Sequence, residues 1–216
     1  MSDNNEIEYK IILMGNSGVG KTSFFRKLST GEFSETNVMT LGVEKISFDI
    51  NITNDKNEKK KIDVSLLDTA GQEKFRALTV QYFKGTDGVF LLYDITDSKT
   101  FKNIEEWVDS INEAIDNKEA KFVIFLIGNK KDLIGVNGHK REVSEDEAIN
   151  ICKKFNMIWR GEQSIKEIEK DKLLELFKLC TKDIYDKVGE KKRKKQKIRQ
   201  IDKHKKQKKC CLDPVL

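Results

Sequence analysis

The octapeptide Gly15-Asn16-Ser17-Gly18-Val19-Gly20-Lys21-Thr22 follows the apolar run Tyr9-Lys10-Ile11-Ile12-Leu13-Met14 and opens the segment KTSFFRKLST at 21–30. This is Gly-x4-Gly-Lys-Thr between a strand and a helix, the arrangement whose backbone N–H groups wrap a polyphosphate. Glycine lets the backbone touch phosphate oxygens without a side chain intervening. The N–H groups of Ser17, Gly18, Val19, Gly20 and Ser23 are candidates for that contact, Lys21 supplies a point charge, and the Thr22 hydroxyl is placed for Mg²⁺. A helix N-terminus favours an anion in its own right, and Gly31 is the expected helix stop.

Working outward, strand-like runs alternate with helical ones, which predicts a mostly parallel sheet of six strands with helices on both faces. The first strand falls near 8–14, and a β-rich pair follows at 43–53 and 61–67 around the polar turn NDKNEKKK. Near-continuous apolar runs at 88–94 and 121–127 read as buried central strands. Between them Phe101, Ile104, Val108, Ile111 and Ile115 recur at helical spacing. A helix over 144–156 starts with Ser144 and Glu147 as a capping box, and a last helix over 167–187 turns Leu173, Leu174, Leu176, Phe177, Cys180 and Ile184 inward. The domain is therefore expected to span 1–187, with 188–216 a disordered polybasic tail. Residues 191–209 hold twelve Lys or Arg and one Asp, against a net charge of +5 for all 216 residues, so the rest of the chain is acidic.

No apolar stretch is long enough to span a membrane as a helix, and the polar N-terminus MSDNNEIEYK is unlike a secretory signal. Ser2 in place of glycine argues against N-myristoylation. The four cysteines form neither a disulfide framework nor a zinc pattern, which suits a reducing cytosol.

A phosphate loop names neither base nor reaction; later segments do. In Asp68-Thr69-Ala70-Gly71-Gln72-Glu73 the Asp68 carboxylate can hold a water on Mg²⁺, the Gly71 N–H can reach a γ-phosphate, and Gln72 can orient the attacking water. Asn129-Lys130-Lys131-Asp132 follows a buried strand at the sheet's carboxyl edge, where ligands bind. An aspartate there can accept from both N1–H and the 2-amino group of guanine, a group adenine lacks. A nucleotide kinase would have no use for that segment.

On these motifs, and on FRALT, QYFKG and LLYDIT within 75–96, the chain resembles the small GTPases of the Ras superfamily, the Rab family most closely. The resemblance implies a P-loop small G domain, GTP or GDP with Mg²⁺, and slow GTP hydrolysis that switches the protein between states. It also assigns Thr40 to Mg²⁺, Phe33 to packing on guanine, and a residue pair at Ser164 and Ile165 to the base. No catalytic arginine stands near the phosphate site, so a GTPase-activating protein would supply one, and the small Ser17 leaves it room. An exchange factor, effectors, prenylation machinery and a GDP-dissociation inhibitor are the other implied partners. A monomer without a nucleic-acid partner is expected. Cys210 and Cys211, beside the basic run, resemble a double geranylgeranylation site that would anchor the chain to the cytoplasmic face of an intracellular membrane, with a cytosolic pool. Two lipids plus a basic patch suffice for stable anchoring. A nuclear localisation signal or a nucleic-acid contact is the competing reading of the tail.

The chain also departs from that pattern. Lys45 and Leu67 replace two aromatic residues of a surface triad, of which Tyr82 remains. The usual Ser-Ala-Lys segment is replaced by IWRGEQSIKE at 158–167, aligned either as Gln163-Ser164-Ile165 or as Ser164-Ile165-Lys166. Weaker nucleotide retention is the expected consequence. Arg160, inside the presumed sixth strand, has no role in the pattern. These departures leave open a second reading, a largely non-hydrolysing GTP-binding scaffold or interaction module.

Overall fold

A computed structural model describes residues 7–34, 42–69, 82–114 and 121–190. Its six strands are β1 (Ile7–Met14), β2 (Val43–Thr53), β3 (Lys59–Thr69), β4 (Gly88–Asp94), β5 (Val123–Asn129) and β6 (Ile158–Glu162). The helices among the described residues are α1 (Lys21–Thr30), α2 (Ser98–Lys102), α3 (Ile104–Ala114), α4 (Glu145–Lys154) and α5 (Lys170–Val188). The sheet runs in the order β2-β3-β1-β4-β5-β6; only the β2–β3 pair is antiparallel. Thr40, Gly71, Gln72, Ile115, Cys210 and Cys211 lie outside the described residues.

Alternation along the strands divides the interior into two layers. Tyr9, Ile11, Leu13, Phe90, Leu92 and Phe125 face α1 and α5, meeting Phe24, Leu28, Leu173, Phe177, Cys180 and Ile184. Ile12, Met14, Leu91, Tyr93 and Leu126 face α3 and α4, meeting Ile104, Trp107, Val108, Ile111, Ala148 and Cys152. Strands buried on both faces need apolar residues at every position, which is why β4 and β5 read as continuous runs. Burial pushes the Cys152 and Cys180 thiols up to about 12, so both are inert core residues. Among the described residues no helix is long and apolar enough to cross a membrane.

Several element boundaries differ from the sequence reading: β1 begins at Ile7, β3 runs two residues further at each end, α4 spans Glu145–Lys154, and three further differences have a structural reason. β5 begins at Val123 rather than Lys121 because its register is set by β4, Gly88 opposite Val123, which leaves Asn129 as its last residue. The helical period beginning at Phe101 is broken at Asn103, where α2 ends and α3 begins. α5 starts at Lys170 rather than 167 because the Ser164 carbonyl accepts from the N–H groups of Glu167 and Ile168 and forms a separate turn. The Ser144–Glu147 capping box and the Gly31 helix stop are both present.

Arg160 finds its role here. Its guanidinium lies over the Phe125 ring, 5.2 Å from the centroid, and pairs with Asp183 of α5. The side chains are only 14% and 29% exposed, so each charge depends on the other. Asp183→Ala is therefore expected to cost about 2 kcal/mol, below the range for fully buried pairs, whereas Arg160→Met with Asp183→Leu recovers most of it. Urea unfolding of the three proteins checks this; an unchanged midpoint for Asp183→Ala contradicts it.

Candidate functional site

The carboxyl ends of the parallel strands β1, β3, β4, β5 and β6 lie along one edge of the sheet. Gly15 and Gly20 are glycines of necessity: a Cβ at Gly15 would stand 2.2 Å from the Leu92 carbonyl oxygen, and one at Gly20 2.2 Å from Asn129 Nδ2. Both also have positive φ, 127° and 102°. Ser17 and Gly18 are exposed at the mouth of the loop, Val19 is buried beneath it, and Ser23 is half-buried in the first turn of α1.

Lys21 is 5% exposed and donates to the carbonyls of Gly15 and Asn16 at 2.8 and 2.7 Å. Burial lowers its ammonium to about 8, against the opposing pull of Asp68. An anion in the loop would restore the charge, so binding a phosphate above pH 8 must take up a proton. GDP binding at pH 8.5 is expected to absorb most of one proton and distinctly less at pH 7.5, measured by calorimetry in buffers of different ionisation enthalpy. An unchanged proton balance contradicts this.

The Thr22 hydroxyl donates to Asp68 Oδ2 at 2.6 Å, joining α1 to the end of β3. Asp68 is fully buried, and its Oδ1 has no hydrogen-bond partner among the described residues. Burial raises its carboxyl above the usual range, with the Thr22 bond and Lys21 working against that. An orphaned buried carboxylate oxygen beside a threonine hydroxyl is a donor set suited to a hard, oxygen-seeking cation such as Mg²⁺.

At the other end of the edge, Asn129 binds three loops together. Its Nδ2 donates to the Val19 carbonyl at 2.8 Å, and its Oδ1 accepts from the Ile165 N–H at 3.1 Å. Asp132 Oδ1 accepts from the Ser164 hydroxyl at 2.7 Å, while the Lys131 N–H donates to the Gln163 carbonyl. Ser164, not Gln163, meets the aspartate through its side chain. Ile165 was expected to offer its N–H to a base; here that N–H holds Asn129, and its side chain is buried in the core. Phe33 follows the Gly31 cap by two residues and is half-buried.

Sequence reasoning missed Asp94. Its Oδ2 pairs with Lys130 Nζ at 2.7 Å, and its Oδ1 accepts from the Thr96 N–H and hydroxyl. Lys130 sits at φ 69°, a left-handed conformation that a lysine seldom adopts, so this ion pair fixes an otherwise costly turn. The available signal was a carboxylate closing the apolar strand GVFLLYD. Lys45 is exposed on β2 opposite the buried Leu67 of β3, so the altered triad presents an ammonium where an aromatic face was expected.

The family model described as the Ras family matches residues 10–186. The Ras-related protein YPTC6 of Chlamydomonas reinhardtii is 33% identical over 199 residues, 87% of either chain. Rab-13 of Canis lupus familiaris is 38% identical over 149 residues, 69% of this chain and 68% of that one. Rab-11A of Dictyostelium discoideum is 40% identical over 149 residues, 69% of this chain and 64% of its own. With the phosphate loop, the buried Asp68 and the Asn129-to-Asp132 segment on one sheet edge, the chain belongs to the Ras family, as a Rab-type small GTPase.

Proposed function

We propose that this protein is a guanine-nucleotide switch that binds GTP and GDP with Mg²⁺, hydrolyses GTP slowly, and acts in intracellular membrane traffic. The observation that carries the proposal is the Asn129 carboxamide. By bonding Val19 on one side and Ile165 on the other, it holds the phosphate loop and the loop bearing Ser164 at a common edge. The phosphate end, Lys21 and Thr22, and the base end, Asp132, are thereby set to read one nucleotide.

In this reading the loop N–H groups from Ser17 to Ser23 bind the phosphates, and Lys21 turns its third N–H and its charge to the β- and γ-phosphates. Thr22 and Asp68 would hold Mg²⁺, with Thr40 joining them in the GTP state. Mg²⁺ supplies positive charge to the phosphate oxygens when bound. Asp132 accepts from the guanine edge and is kept oriented by Ser164, with Lys130 held by Asp94 and Phe33 packing on the base. Gly71 donates to the γ-phosphate, and Gln72 orients the attacking water. GTP would order the segments around Thr40 and Gly71, and hydrolysis would release them.

A GTPase-activating protein would supply the missing arginine, worth ~10³ to 10⁵ in rate for GTPases as a class. Exchange factor, effectors and GDP-dissociation inhibitor complete the cycle. Prenylation of Cys210 and Cys211, with the basic run of 191–209, would place the chain on the cytoplasmic face of an intracellular membrane.

The test is single-turnover hydrolysis. Gln72→Leu is expected to slow GTP cleavage roughly 10- to 100-fold, since a misplaced water forfeits that much, with GDP affinity unchanged. Equal rates for the two proteins would remove Gln72 from the mechanism.

A further inference from the structure

We propose that Trp107 is a positioning residue of the phosphate loop, acting through Asn16; the inference rests on the reading that this loop holds the phosphates of a guanine nucleotide. Trp107 is 3% exposed on α3, whose Ile104, Val108 and Ile111 are buried against the sheet. Its indole Nε1–H donates to Asn16 Oδ1 at 2.8 Å, across 91 positions of sequence. The main-chain carbonyl of the same Asn16 accepts from Lys21 Nζ at 2.7 Å. Asn16 is therefore tied on one side to the lysine of the loop and on the other to a rigid ring embedded in the core.

The two ties differ in what a nucleotide does to them. Lys21 has three N–H donors and gives two to the Gly15 and Asn16 carbonyls; a phosphate that takes the third also draws the charge toward itself and weakens the tie on that side. The indole bond makes no demand on Lys21 and survives. It keeps Asn16 in place while Lys21 serves the phosphate, and so keeps the following N–H groups aimed. An indole suits the task because its apolar body fills the core and its one polar atom meets the loop. Phenylalanine would fill most of the same space without the donor.

The experiment follows release of the fluorescent analogue mant-GDP, chased with excess GDP in Mg²⁺, from full-length protein. Trp107→Phe and Asn16→Ala are each expected to speed release about 3- to 10-fold, the range for one lost hydrogen bond. The double variant should be no faster than the faster single one, because both remove the same bond. Asn16→Asp keeps an acceptor for the indole and should release more slowly than Asn16→Ala. Trp159→Phe, which changes the chain's other tryptophan, should also be native. Asn16→Ala against Asn16→Asp still decides the matter if Trp107→Phe fails to fold. Native release from Asn16→Ala, additive effects in the double variant, or equal acceleration by Asn16→Asp overturns the role of Trp107 while leaving the nucleotide reading intact. A native chain that retains no mant-GDP overturns both.

Discussion

Asp132→Asn is expected to lower GDP and GTP affinity by ~10² to 10⁴ and to turn the preference toward xanthosine nucleotides. The Asp132 carboxylate can accept two N–H groups from the edge of guanine, and charge-assisted bonds of this kind contribute ~1.5 to 3 kcal/mol each. An asparagine keeps the shape and an acceptor for the Ser164 hydroxyl, 2.7 Å from Asp132 Oδ1. It replaces the second acceptor with a donor, which opposes the guanine amino group. Xanthine carries a carbonyl at that position and accepts from the new donor. A site built to hydrogen-bond its substrate discriminates strongly because mismatched polar groups remain buried and unpaired. Competition of GDP and xanthosine diphosphate against mant-GDP measures the effect; an unchanged order of preference would take the base away from Asp132.

Lys21→Ala is expected to lower GDP affinity by on the order of 10³-fold with little change in the stability of the nucleotide-free protein. The two effects separate because of where the ammonium lies. It is buried, its only hydrogen bonds among the described residues go to the Gly15 and Asn16 carbonyls, and burial has already lowered it to about 8. Removing it forfeits two neutral acceptors but also removes a desolvated charge, and these offset. Once phosphates arrive, nothing else in the loop carries a positive charge. Thermal unfolding without nucleotide and equilibrium titration with mant-GDP make the comparison. A variant that loses its fold but binds normally when folded would assign Lys21 to the core and not to the phosphates.

The fold was legible wherever periodicity is enforced by burial on both sides. β4 was read to the residue, since GVFLLYD has no polar position until Asp94. β5 was displaced by two residues because the strand-like segment KFVIFLI starts at 121, ahead of the ladder that Gly88 and Val123 begin. The break at Asn103 was hidden because Phe101 still packs against the second core, so the helical spacing continues across two helices. The need for glycine at positions 15 and 20 and the place of Asp132 at the sheet edge were legible because the chemistry proposed for them fixes residue type at fixed spacing. Asp94, Asn16 and Trp107 were not: each acts through another residue, over separations of 36 to 91 positions that no local pattern encodes. The contact of Ser164 with Asp132 and that of Arg160 with Asp183 on a later helix were likewise hidden by their separation in sequence.

The most direct measurement is the nucleotide content of the purified full-length protein, followed by a single-turnover time course after loading with GTP and Mg²⁺, alone and with an activating cell extract. One guanine nucleotide per chain is expected, with slow conversion of GTP to GDP alone and acceleration by the extract. Adenine nucleotide, no nucleotide, or bound GTP that stays uncleaved under both conditions would contradict this, the last by making the protein a GTP-bound scaffold.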